Sequence, residues 1–331
     1  MTDQTKSLIY TFDDNYLVPF LVSVFSAKKV LGPDLRIEIV QPIQEYSEMG
    51  LTKKALDICT ECLQVLGINF EIIRVNVDSF SEDALPLWAR FPKTTWLRYY
   101  YIFNAEVPQG TIYYVEADMI FLKNTPSIFD INLIGNAVSG RISPGHVDFE
   151  KKWGANITKP WYFNCGVMAI NVQKWREIID QSEWWQVISN YKDFDFNVIE
   201  QDALNYFFRG TQVPMEVELN SYPSEFELGN NSILHFAGHH KPWNFRPRIL
   251  RFREKPNVIL SMSVWDTLEK EVLLTLGNEL NGSDYEWLRK SYPKVKFSTK
   301  TSVLFPVATS RLFAVKQMLT NRMRKPNENA N

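Results

Sequence analysis

Between Ser7 and Val115, strand-like runs alternate with helix-like ones, and this alternation limits the fold more than any other feature. Ser7–Phe12 reads as a strand, Val18–Val30 as a helix and Leu35–Gln41 as a strand of alternating polarity. Lys53–Leu66 then reads as a helix, Asn69–Val75 as a strand, Thr94–Ala105 as an aromatic-rich helix and Thr111–Val115 as a strand. Strands and helices taken in turn build a mostly parallel sheet with helices packed on its faces, the α/β class. In such sheets ligands collect beyond the carboxyl ends of the strands, so the residues just after each strand are where chemistry is expected. Farther along, Ala137–Ile142, Tyr162–Val172 and Ile233–Phe236 read as strands, and Trp175–Tyr191 and Val198–Phe208 as helices. Past residue 250 only a helix near Val264–Leu276 stands out. With no internal repeat or Gly/Ser-rich linker, residues 1–250 are expected to form one unit, followed by an extension over 251–331.

Four strand ends carry polar residues. Thr11-Phe12-Asp13-Asp14-Asn15-Tyr16 is a polar corner ahead of a helix, suited to capping or to binding a polar ligand over the sheet edge. In TIYYVEADMIFL an apolar run breaks for Glu116 and Asp118 and then resumes. If the chain stays extended there, residues i and i+2 point to one side and the two carboxylates converge. Converging carboxylates repel unless a proton or a cation intervenes, and hard oxygen ligands suit Mg²⁺ or Mn²⁺. The third segment, Tyr162–Asn171, places Asn164 and Gly166 inside a strand, and a glycine there marks a bulge or a close approach. Gln201 and Asn205 follow, four apart on one helix face that is either exposed or functional. The fourth, ILHFAGHHKPW, ends a strand at His235, a metal-ligand type, and brings Lys241, a phosphate-binding type, six residues later.

Bulk properties exclude several classes. A net charge of −2 gives no reason to expect nucleic-acid binding by the whole molecule. The start, MTDQTKSLIY, lacks a secretory apolar core, and no apolar run is long enough to span a bilayer. Cys59 and Cys62 lie on one face of a predicted helix and are read with Cys165 as packing thiols of a reducing compartment. No G-x-G-x-x-G follows the first strand, which argues against a dehydrogenase.

In this order and at these spacings, the segments from about Leu8 to Trp243 resemble the family 8 glycosyltransferases, which include glycogenin and bacterial lipopolysaccharide hexosyltransferases. The shared motifs are Asp13-Asp14-Asn15-Tyr16, Trp96-Leu97-Arg98-Tyr99, Tyr114-Val115-Glu116-Ala117-Asp118, Phe163-Asn164-Cys165-Gly166-Val167, Glu200-Gln201-Asp202-Ala203-Leu204-Asn205 and His235–Trp243. The resemblance implies a GT-A fold, with a donor-binding part over about 1–125, an acceptor-binding part over about 126–250, and retaining transfer of glucose or galactose from a UDP-sugar to a glycan or glycolipid hydroxyl. It implies Glu116, Asp118 and His235 as ligands of Mn²⁺ or Mg²⁺. It also implies Thr11, Asp13, Asn15, Arg98, Ala117, Gly238 and Lys241 around the donor, and Asn164, Gln201 and Asp202 at the reaction centre. Two positions depart from the family pattern, since Glu116 and Glu200 stand where aspartate is usual. Glu116 then binds the ion directly, through water, or leaves it to Asp118 and His235. Those departures keep open a binding-only module, and a self-glycosylating initiator stays open beside it.

Arg311–Lys325 holds five basic residues and no acidic one, with Leu312, Val315, Leu319 and Met323 at helical spacing. It is read as a peripheral attachment to an anionic membrane from the cytoplasmic side, as a frayed, solvated end, or as a helix packed on the domain.

Overall fold

The computed structural model describes residues 6–43, 49–77, 93–104, 106–107, 110–143, 153, 161–238, 241–243 and 255–291. The basic tail lies outside the described residues.

The N-terminal half follows the predicted alternation. Strand β1 (Ser7–Tyr10) leads through the 13–16 corner into α1 (Leu17–Leu31), then β2 (Arg36–Pro42), α2 (Lys53–Val65) and β3 (Asn69–Val75). Next come α3 (Leu97–Phe103), β4 (Thr111–Val115) and β5 (Met119–Phe121). The order continues with β6 (Val138–Ile142), β7 (Phe163–Asn171), α4 (Val172–Ile178), α5 (Gln181–Ser189) and α6 (Ile199–Phe208). It closes with β8 (Gln212–Pro214), β9 (Ile233–His235), α7 (Pro256–Glu279) and α8 (Gly282–Ser291).

Seven strands form one sheet in the order β3-β2-β1-β4-β7-β6-β8, and β5 pairs with β9 in a second, two-stranded sheet. β3, β2, β1 and β4 run parallel, whereas β7 is antiparallel to both β4 and β6. An antiparallel β7 brings its beginning, Asn164–Gly166, beside the carboxyl end of β4. That placement matters for the site.

Helices cover both faces. On one face α1 buries nearly its whole length, and α2 presents Ala55, Ile58, Cys59, Cys62 and Leu63, the i, i+3, i+4 pattern of a helix with one apolar side. Cys59 and Cys62 are free and fully buried, as packing thiols should be. Thr52 caps α2 by accepting from the Ala55 N–H, and Lys28 at the end of α1 donates to the Leu66 and Gly67 carbonyls beyond the far end of α2. The other face is aromatic: Trp96, Tyr99, Trp175, Trp184 and Phe208 interlock around α3–α6. Each such side chain taken from water stabilises the fold by roughly 1.5–3 kcal/mol.

Three local readings are corrected. The single helix expected over 175–191 is two, because Ile179 is extended and Asp180 caps α5 through the Glu183 N–H. The helix expected near 264–276 runs 24 residues, starting on Pro256, and α8 follows it. Val258, Met262, Trp265 and Leu276 of α7 and Leu288 of α8 join the core that α1 and α2 cover. Finally, the chain does not stay extended over 116–118 but turns there. No helix among the described residues is long and apolar enough to cross a membrane.

Candidate active site

Two ladders meet at the turn. β4 pairs with β7 so that Val115 faces Val167, and the Glu116 N–H donates to the Gly166 carbonyl one step later. The chain then turns through Ala117 and Asp118 and starts β5, whose Met119 faces His235 of β9. The Phe236 N–H donates to the Asp118 carbonyl. Glu116 thus belongs to the last rung of the large sheet, while Asp118 and His235 belong to the first rung of the small one. The carboxylates converge without an extended backbone, since the turn does what strand geometry was expected to do.

His235 Nε2 lies 3.1 Å from Glu116 Oε2 and 3.5 Å from Asp118 Oδ1. One ligand atom from each residue can be chosen so that all lie within 4.8 Å of one another. Adjacent ligands on an octahedral ion with bonds of about 2.1 Å stand about 3 Å apart, so the three residues fit such an ion with small adjustment. Two buried atoms of the cluster, Asp118 Oδ1 and His235 Nε2, have no hydrogen-bond partner. Buried polar atoms left bare in this way mark a place for a ligand. Partial burial disfavours the Glu116 carboxylate, but His235, Arg98 and Lys241 outweigh it and hold its pKa below the usual carboxylate range.

Lys241 contacts Asp118 Oδ2 and donates to the Phe236 carbonyl at 2.8 Å. Gly238 makes that return possible at φ +76°, a conformation costly for any residue with a side chain. The corner reaches the same place. Asp13 accepts from the Asn15 N–H, Asp14 accepts from the N–H and hydroxyl of Thr52, and the Tyr16 ring meets Trp243 edge-on at 5.8 Å. The corner thus caps the chain locally and touches the 241–243 segment through Tyr16. Thr11 hydrogen-bonds Tyr114, and Ala117 is buried in the turn between the two acids.

Asn164 donates to Gln201 Oε1 at 3.1 Å and accepts from the Gly166 N–H and from Asn220 Nδ2, both at 3.0 Å. Gly166 is required by space, because a Cβ there would lie 2.3 Å from His235 Cε1. Gly166→Ala is accordingly expected to displace the imidazole and raise the Mn²⁺ dissociation constant about 10- to 100-fold in a calorimetric titration. Unchanged affinity would remove His235 from the ion's surroundings.

On the helix face bearing Gln201 and Asn205, Asn205 is buried and Gln201 half-buried, with Glu200 and Asp202 buried on either side. Asp202 accepts from the Tyr162 hydroxyl and from the Asn197 and Val198 N–H groups, which fixes the start of α6. Arg98 is only 1% exposed. It pairs with Glu200 at 2.5 Å, donates to the Cys165 carbonyl and stacks on Tyr114. Thus Glu116, Asp118, His235 and Lys241 are brought together directly and Asn164 and Gln201 through hydrogen bonds, while Arg98 and Asp202 stand behind them. Asn220, whose Oδ1 meets His235 Nδ1 at 2.9 Å, is the residue that sequence reasoning missed. It ends a single 3-10 turn, Val217–Asn220, between β8 and β9, with no strand or motif to flag it.

A family model described as glycosyl transferase family 8 matches residues 7–246. Glycosyltransferase GlyF of Streptococcus pneumoniae serotype 4 is 22% identical over 255 residues, covering 72% of this chain and 57% of that protein. General stress protein A of Bacillus subtilis is 25% identical over 174 residues, 47% of this chain and 60% of that one. The chain therefore spans less than two thirds of the length of these relatives. Among solved structures, galactosyltransferase LgtC in complex with donor and acceptor sugar analogs aligns at a TM-score of 0.59, with 19% identity over 88% of this chain and 98% of that one. GlyE of Streptococcus pneumoniae TIGR4 aligns at 0.53, with 17% identity over 90% of this chain and 66% of that one. The expected GT-A architecture is what these structures share with it. With the family match running from β1 to just past Lys241, the chain belongs to glycosyl transferase family 8.

Proposed function

We propose that the chain is a retaining glycosyltransferase that moves glucose or galactose from a UDP-sugar to a hydroxyl of a glycan or glycolipid. The observation that carries this reading is the meeting of Glu116, Asp118 and His235 with Lys241 where β4 ends. Three ligands for a hard cation beside a lysine suit a diphosphate, and family membership supplies the sugar nucleotide. Mn²⁺ or Mg²⁺ held by Glu116, Asp118 and His235 would act as a Lewis acid on the diphosphate.

The chain's own groups supply the rest. Lys241 neutralises charge growing on the departing UDP from a fixed position, which lowers the barrier without reorganising solvent. Thr11, Asp13, Asn15 and Ala117 border the nucleotide end, and Gly238 leaves its exposed turn open to a phosphate. Gln201, oriented by Asn164, stands on the sugar side. An amide is a poor nucleophile, so Gln201 positions the donor while the acceptor hydroxyl attacks from the face the UDP leaves. Residues up to about 125 serve the donor and those to about 250 the acceptor, with the basic tail as the contact to an anionic membrane.

A panel of nucleotide sugars incubated with Mn²⁺ and scored by UDP release tests the reading. UDP-glucose or UDP-galactose is expected to release UDP above all others, and chelation to stop it. Tight UDP binding with no release from any donor would instead make the chain a binding module.

A further inference from the structure

The hydrogen bonds behind the metal ligands form one directed chain, and its direction is set by an atom that cannot turn around. The Gly166 backbone N–H only donates, and it faces Asn164 at 3.0 Å, so the Asn164 atom there is the oxygen. That same oxygen meets the Asn220 amide at 3.0 Å, so Asn220 presents its amino group to it. The other end of Asn220 is then its oxygen, and it faces His235 Nδ1 at 2.9 Å. An acceptor there requires a proton on Nδ1, so Nε2, the atom turned toward Glu116 and Asp118, is the ring nitrogen left to bind an ion. In the opposite direction, Asn164 has its amino group left for Gln201 Oε1.

Asn220 itself is held from outside the chain. Its carbonyl accepts from Arg141 at 2.6 Å, and Arg141 pairs with Glu225 and stacks on Tyr222. The neighbouring Ser221 is bridged to β9 on both sides, by its N–H to the Ile233 carbonyl and by its carbonyl to the His235 N–H. Asn220 is fully buried, so no water competes for its amide.

We infer that Asn220 is a positioning residue for the metal-assisted reaction: it fixes His235 with a bare Nε2, and through Asn164 it ties that choice to the orientation of Gln201. The metal side and the sugar side of the site are set by a single hydrogen-bond polarity. This rests on the functional reading above for its purpose, but not for its geometry. An amide suits this position because it accepts from one neighbour and donates to the other. A carboxylate would set an oxygen against Asn164 Oδ1.

The test is made without any sugar nucleotide, so it is independent of whether transfer occurs. Long-range proton–nitrogen NMR of the metal-free chain reads the imidazole tautomers at a pH where they are neutral. The sequence has four histidines, and the signal lost in His235→Gln identifies the one in question. Wild-type His235 is expected as the Nδ1–H tautomer, and finding the Nε2–H form would overturn the inference with no further variant. Asn220→Ala is expected to lose that preference and weaken Mn²⁺ binding about 10- to 100-fold. Asn220→Asp keeps an acceptor for His235 but loses the bond to Asn164, so it is expected to retain the tautomer while binding Mn²⁺ more weakly than the wild type and more tightly than Asn220→Ala. If Asn220→Ala folds and binds Mn²⁺ like the wild type with the tautomer intact, Asn220 does not position the ligand.

Discussion

Asp118→Ala is expected to abolish metal-dependent transfer, lowering kcat/KM by at least about 10³-fold, a loss of about 4 kcal/mol of transition-state stabilisation. The size follows from where Asp118 stands. Its Oδ1 is a bare buried ligand atom, its Oδ2 meets Lys241, and its carbonyl takes the Phe236 N–H in the rung that carries His235. Removing the carboxylate therefore takes away a proposed metal ligand and the partner of Lys241, the lysine proposed to meet the diphosphate, at once. Burial works against the charge on Lys241, and Asp118, Tyr16 and Glu116 outweigh it to hold its pKa above the ordinary range. Glu116→Ala should cost less, about 10- to 100-fold, because Glu116 is a third exposed and water can take its place. The comparison is made as UDP release against Mn²⁺ concentration. An Asp118→Ala enzyme keeping a tenth of the wild-type rate with the same Mn²⁺ dependence would mean that the ion sits elsewhere.

The second large effect is on stability. Arg98→Leu is expected to destabilise the fold by about 3–5 kcal/mol, because it strands Glu200 as an uncompensated buried charge. Among the described residues Glu200, whose side chain is 4% exposed, has only the Tyr99 hydroxyl as a further hydrogen-bond partner, and it carries no charge to replace the guanidinium. Glu200→Leu should cost a similar amount by stranding Arg98. The double variant should recover at least about 2 kcal/mol over the sum of the singles, since apolar residues of similar volume often substitute for a buried pair at little cost. Urea unfolding of the four proteins gives the coupling directly. Additive losses would show that Arg98 and Glu200 act independently. A raised KM for the sugar nucleotide in a stable Arg98→Leu protein would instead support the direct donor contact implied by the family resemblance.

How much of this was legible in the sequence depends on the range of the interaction. The β–α alternation of the first 115 residues is local, carried by side-chain periodicity, and β3 and β4 fall where the pattern put them. The residues that meet around Glu116, Asp118 and His235 stood out as motifs because they cluster at strand ends. Their convergence was expected for the wrong reason, since the turn at Ala117 and Asp118 depends on pairing between β5 and a strand more than a hundred residues later. The break at Ile179 and Asp180 was hidden by aromatic residues that read as one continuous helix. The role of Glu200 could not be read at all. As a motif position it stood out only for replacing the usual aspartate, and its partner appears only where α6 meets α3. Asn220 was illegible for the same reason, as its partners come from β7 and β9.

The turn at 117–118 has a mechanical consequence. Because Glu116 ends one sheet while Asp118 and His235 begin the other, an ion shared by all three would rivet two sheets that otherwise meet here through a short bend of chain and the Asn164–Asn220–His235 hydrogen bonds. The alignment of those sheets and the occupancy of the ion then become a single variable. Anything that tilts the small sheet, including a sugar nucleotide pulling on Lys241 just beyond β9, would be felt as a change in grip on the metal.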